Sequence, residues 1–118
     1  MQISKDLVAA SAIPLVLSIL EQGDNYGYAI IKKVSELSEQ RLAWTDGMLY
    51  PVLHRLEKQR CIESYWQESQ VGRKRKYYRM TQTGLTELKQ HKQQWNVVHA
   101  ALSKAWKPHS FFWRLADV

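Results

Sequence analysis

The sequence predicts an α+β fold, mostly helical, in which three helices lead into a two-stranded hairpin and a long final helix. Three observations predict it. Apolar residues recur at helical spacing in three early segments and one late segment. Between them, "IESYWQE" and "RKYYRM" alternate in character around "SQVGRK", with Gly72 in the turn, as a hairpin does. The chain has 118 residues, is 45% hydrophobic and carries a formal net charge of +6. That length suits one compact domain, and the positive balance favours an anionic partner.

The first helix is expected from Ile3 or Lys5 to Glu21. Its apolar residues lie nearly all round, so more than one neighbour should cover it. Pro14 removes one hydrogen bond and should bend or break it. The run "LVAASAIPLVLSIL" resembles a secretion signal. However, Asp6 precedes it, no small-residue cleavage site follows, and it is shorter than the roughly 20 residues of a membrane span. A buried helix is the expectation, with no membrane partner. Gly23 should end it, and Asp24 or Asn25 should cap the second helix, Tyr26 to Leu37, whose core face is Ile30, Val34 and Leu37.

Thr45 or Asp46 should cap the third helix, which is expected to reach Arg60 with a core stripe of Leu49, Leu53 and Leu56. The opposite side holds Gly47, Met48, Pro51, His54, Arg55 and Lys58, a polar and basic face. The hairpin follows at once, and Thr81 should cap a last helix ending before Pro108. In that helix Leu88, Trp95 and Leu102 are seven apart. Leu85, Lys92, His99 and Trp106 make a second seven-spaced row, half polar, so the seam suits a partner helix.

Helix, helix, helix, hairpin, helix is the order of a winged helix-turn-helix. In such a fold the third helix enters the major groove while the hairpin reaches the backbone or minor groove. This gives the basic run Arg73, Lys74, Arg75 and Lys76 a use, since an extended tip can reach phosphates and release counterions. On the third helix, His54, Arg55 and Lys58 are candidate DNA contacts. Arg55 leads them, because bidentate arginine to guanine is the commonest specific contact.

The segments "GDNYGYAIIKKV", "GMLYPVLHRLEK" and "GRKRKYYRMTQTG" resemble the signatures of the PadR family of bacterial winged-helix transcriptional regulators, over about Ile13 to Gly84. With its short C-terminal region the chain is most similar to the small subfamily that includes multidrug-responsive repressors. The resemblance implies a homodimer held by the first and last helices, and the single cysteine adds the expectation of a cytoplasmic location. It also implies repression of an operon at a palindromic operator, relieved by a small ligand. By position it puts Tyr26, Thr45, Gly47, Tyr50 and Arg55 at the DNA, with Lys74 and Arg75 as wing contacts. The chain is expected to divide into a DNA-binding domain at 1–81, whose first helix also joins the dimer interface, a dimerisation helix at 82–107 and an apolar tail at 108–118. Leu7, Leu88, Trp95, Leu102 and Trp106 are the expected dimer contacts. Two departures stand out. Cys61 occupies the place of a usual glycine after the third helix, where a left-handed cap would cost it ~1 kcal/mol or more. The tail, with Phe111, Phe112, Trp113 and Leu115, matches no pattern of the family.

If the last helices pair, Trp95 approaches its copy, and the two indoles could sandwich a flat apolar or aromatic ligand. Lys92, Asn96 and His99 lie in the same seam, and Val98, Ile13 and Leu17 are candidate lining residues. No metal or cofactor is expected: His91 and His99 are eight apart, His54 and His109 lie elsewhere, and no cysteine or acid stands at ligand spacing. Nor is an enzyme, since no catalytic set or phosphate-cradling loop stands out. The single cysteine suits a reducing compartment and reads as inert. The competing reading from another class is a winged-helix docking module without sequence-specific DNA binding.

Overall fold

The computed structural model describes residues 1–107; the expected apolar tail lies outside them. Its elements are α1 (Lys5–Glu21), β1 (Asn25–Tyr26), α2 (Gly27–Leu37), α3 (Asp46–Lys58), β2 (Ile62–Glu68), β3 (Lys74–Met80) and α4 (Gln82–Ala105). The fold is α+β and mostly helical, as the periodicities require.

The Ser4 hydroxyl caps α1 by accepting from the Leu7 amide at 3.3 Å. The helix runs unbroken through Pro14, so the expected break is absent. Val16, Leu17, Ile19 and Leu20 carry it into the core, where they meet Ile30 and Val34 of α2 and Leu49, Leu53 and Leu56 of α3. Leu37 shares the Ile30 face but is 57% exposed. Periodicity names a face and is silent on how far its cover extends.

The structure departs from the expected caps in two places. Asn25 and Tyr26 do not open α2 from a polar cap. They form a short strand paired with Tyr78 and Tyr77, so the hairpin becomes a three-stranded sheet in the order β1-β3-β2. Two residues are too few to show a period of two. The end of α3 is also not at Arg60. Cys61 donates its amide to the Leu56 carbonyl at 2.9 Å, and Arg60 donates to Glu57 at 2.9 Å. Arg60, not Cys61, takes the left-handed conformation, with φ of 61°. This is the Schellman arrangement shifted one residue from the position read in the sequence. Cys61 is freed to be buried, at 2% exposure, as the lead-in to β2.

Strands β2 and β3 pair from Ile62↔Met80 to Glu68↔Lys74. Gly72 turns the tip with φ of 81°. Thr81 ties the far end: its hydroxyl donates to the Arg60 and Cys61 carbonyls and accepts from the Gly84 amide at 3.1 Å. Helix α4 thus starts against the end of α3. A Cβ on Gly84 would collide with the Cys61 carbonyl oxygen and lie 2.6 Å from the Met80 sulfur, so only glycine allows this approach. Leu88 is buried in the core. Beyond it, every residue of 92–107 is exposed. The radius of gyration is 18.4 Å, against about 13 Å for a compact chain of this length, because α4, about 36 Å long, outruns the core.

Candidate nucleic-acid interface

The leucine stripe of α3 fixes which side of that helix is outside. Gly47, Pro51, His54, Arg55 and Lys58 are all exposed, and Thr45 precedes them as an exposed cap residue. Thr45 makes no side-chain capping bond, so its hydroxyl stays available to an outside partner. Gly47 has no packing reason to be glycine. A Cβ there would meet only the Thr45 hydroxyl, at 3.8 Å, and its φ is not left-handed. In a helix it costs up to about 1 kcal/mol against alanine.

Tyr50 lies on the flank of this face, 38% exposed. Its ring tip packs against Gly27 at the start of α2, where any side chain would clash with the phenolic oxygen. Tyr26, just before Gly27, is half-buried and meets Tyr77 edge-on, with centroids 5.3 Å apart. Tyr77 in turn stacks on Tyr65 at 5.8 Å. Tyr65 donates its hydroxyl to Asp24 at 2.7 Å, and this bond to the carboxylate, with burial behind it, pushes its phenol pKa up.

Strand alternation splits the basic run that looked like one patch. Arg75 points to the outer sheet face, its guanidinium 4.5 Å over the Tyr26 ring. Lys76 points the other way. Its ammonium sits 4.0 Å from Glu57 of α3 and 5.6 Å over the buried Tyr78 ring. Arg73 and Lys74 are exposed at the tip, with no ion pair among the described residues. The Arg75–Tyr26 contact was illegible in the sequence because it needs β1 beside β3.

On the other flank of α3, α1, the 38–45 loop and α3 border an apolar groove of about 720 Å³. Val8, Ile13, Trp44, Met48, Val52 and Arg55 line it, so Arg55 borders both the groove and the exposed face. The residues proposed from sequence for a ligand seam are scattered within one chain. Trp95, Asn96, Val98 and His99 stand exposed on α4, Ile13 lines the groove, and Leu17 is wholly buried and has no surface to offer a ligand. Lys92 reaches Glu21 of α1 at 3.1 Å. Of the expected dimer contacts, Leu7, Trp95, Leu102 and Trp106 are exposed, whereas Leu88 is 1% exposed inside its own protomer.

Residues 16–90 match the model of the "Transcriptional regulator PadR-like family". The chain belongs to the PadR-like family of transcriptional regulators. Solved structures of transcriptional regulators superpose on most of it. A transcriptional regulator from Clostridium thermocellum is 31% identical, with a TM-score of 0.78, over 87% of this chain and 100% of that one. A PadR-like regulator from Bacillus cereus is 28% identical, with a TM-score of 0.79, over 89% and 100%. An uncharacterized protein of Lysinibacillus sphaericus is 31% identical over 96 residues, 81% of this chain and 88% of the relative. The winged helix is therefore the fold of this PadR regulator, with α3 as its third helix and the β2–β3 hairpin as its wing. No helix among the described residues is long and apolar enough to cross a membrane.

Proposed function

We propose that this PadR regulator is a cytoplasmic, homodimeric repressor that binds a palindromic operator in double-stranded DNA and is released by a small apolar or aromatic ligand. One observation carries the DNA reading. The outer face of α3 exposes Gly47, His54, Arg55 and Lys58 with no acid among them, and the tip of the wing that packs on α3 at Glu57 exposes Arg73 and Lys74. In this reading α3 lies in the major groove, with Arg55 on a base edge and Thr45, Tyr50, His54 and Lys58 at its margins. Tyr26, Arg73, Lys74, Arg75 and Lys76 hold the backbone. Gly47 marks where the sugar-phosphate chain comes closest, which explains a glycine the protein's own packing does not need.

Dimerisation supplies the cover that α4 lacks. Trp95, Val98, Leu102 and Trp106 are 36%, 49%, 41% and 73% exposed, too much apolar surface along one helix to leave in water. Pairing α4 and α1 with their copies buries it and brings the two Trp95 indoles together. With Lys92, Asn96, Val98, His99 and Ile13 nearby, that seam offers a flat ligand an apolar sandwich with a polar margin. Ligand binding would alter the separation of the two α3 helices, and so their fit to half-sites about one helical turn apart.

The test is binding to a labelled duplex carrying the protein's own promoter, beside a scrambled duplex, over a salt series. Tight binding to the promoter that falls steeply with salt, and loss of discrimination in Arg55→Ala, are the expected results. Equal affinity for both duplexes, or none, favours a docking module instead.

A further inference from the structure

One large apolar side chain of the wing has no task in this scheme. Trp66 sits in the middle of β2 and is 66% exposed. Its neighbours give its direction. Ser64, on the same side of the strand, donates its hydroxyl to Glu57 of α3 at 3.0 Å. Lys76, directly across from Trp66, brings its ammonium to 4.0 Å from the same carboxylate. The face of the wing that carries Trp66 therefore looks toward α3. Trp66 stands one step nearer the tip than the point where wing and helix touch. Lys74 follows it on that face, opposite Glu68. On the helix, Lys58 and His54 are exposed next to Glu57 and one turn before it. The indole thus lies on the wing face that looks toward α3, with Lys76 across from it and Glu68 and Lys74 one step nearer the tip.

We infer that Trp66 is a DNA-contacting residue of the wing, packing its indole against the deoxyribose edges of the minor groove that flanks the site read by α3. Wings reach this groove, and apolar side chains inserted there lie against sugars and wedge base steps. Lys74, exposed on the same face and without an ion pair among the described residues, neutralises phosphate that borders it. A duplex suits this site better than a second copy of the chain, because the tip beyond Trp66 exposes Arg73 and Lys74 with no ion pair among the described residues, and a copy carries the same net charge of +6. The inference rests on the DNA reading above.

The experiment compares wild type, Trp66→Ala and Trp66→Phe on the promoter duplex by fluorescence anisotropy over a salt series. Circular dichroism melts and sedimentation velocity accompany it. Trp66→Ala should lose about tenfold or more in affinity at every salt concentration, the scale of a lost aromatic contact. The slope of log affinity against log salt should stay unchanged, because no cation is removed. Trp66→Phe should recover most of the loss, and neither variant should change the melt or the oligomeric state. Unchanged affinity in Trp66→Ala, on a duplex that wild type binds, overturns the inference and leaves the DNA reading standing. A shifted monomer–dimer equilibrium in Trp66→Ala also overturns it and makes Trp66 a contact between copies. A wild type that binds no duplex removes both.

Discussion

Single residues record which constraints are internal and which come from a partner. Gly84 is fixed internally by the Cys61 carbonyl, so Gly84→Ala should destabilise the protein by about 2–3 kcal/mol, seen as a lower melting temperature. Gly47 is the opposite case. Gly47→Ala should raise stability by about 0.5–1 kcal/mol and still weaken operator binding several-fold, since only the DNA needs the space. A variant both more stable and equally tight would show that nothing approaches there. The helix-end residues make a third pair. Arg60→Gly should stabilise by up to about 1 kcal/mol because Arg60 holds the left-handed φ, whereas Cys61→Gly should cost about 1–3 kcal/mol by emptying a buried site. The sequence led to the wrong one of these two neighbours because only the hydrogen-bond register of the last turn distinguishes them. Burial, with Glu87 nearby, also pushes the Cys61 thiol pKa up and keeps it unreactive. Tyr78 gives a pH signature. Its hydroxyl is buried without a hydrogen-bond partner among the described residues, and burial, then Glu57 and Tyr50, push its pKa from 10 to about 12. The unfolded chain ionises first, so stability is whole below pH 10 and falls by up to about 2–3 kcal/mol as pH rises toward 12. Tyr78→Phe should flatten this alkaline loss, and chemical denaturation at pH 8 and pH 11 reads it directly.

At the scale of elements, the wing shows what a run of like charges becomes once a strand is built through it. Composition puts Arg73, Lys74, Arg75 and Lys76 in one cluster, but the pleat sends Arg75 to Tyr26 and Lys76 to Glu57. The cations without internal partners are Arg73 and Lys74. Arg73→Ala/Lys74→Ala should lower the salt slope of DNA binding by about two, near 0.9 per phosphate, while Lys76→Ala should lower it by less than one. A full unit lost in Lys76→Ala would mean that the lysine leaves Glu57 for DNA. The helices were legible from leucine spacing, and so was the exposed face of α3. The strand β1 was not, although it brings Tyr26 beside Arg75 and fixes the start of α2. Its formation depends on β3, some fifty residues away, and no local pattern carries that information.

The whole molecule is a small winged helix with a long arm. Its core of α1, α2, α3 and the sheet base closes within one chain, but α4 past Lys92 rests on nothing in the described residues. Leu102→Glu should therefore convert a dimer to monomer in sedimentation velocity while leaving the wing and core folded, and operator affinity should fall steeply as the second half-site is lost. A monomeric wild type would overturn this reading of α4. By itself the sequence determined the order of the four helices and the hairpin, the family, the polar face of α3 and the apolar row on α4, because each is written in spacing along one helix or in a contiguous motif. Only the tertiary structure decided that Leu17 and Leu88 belong to the protomer's own core, that Arg60 takes the left-handed cap, and that the basic run divides between two faces. Each of those outcomes depends on which distant segment lies alongside, and burial and pairing are properties of that contact, not of the residue.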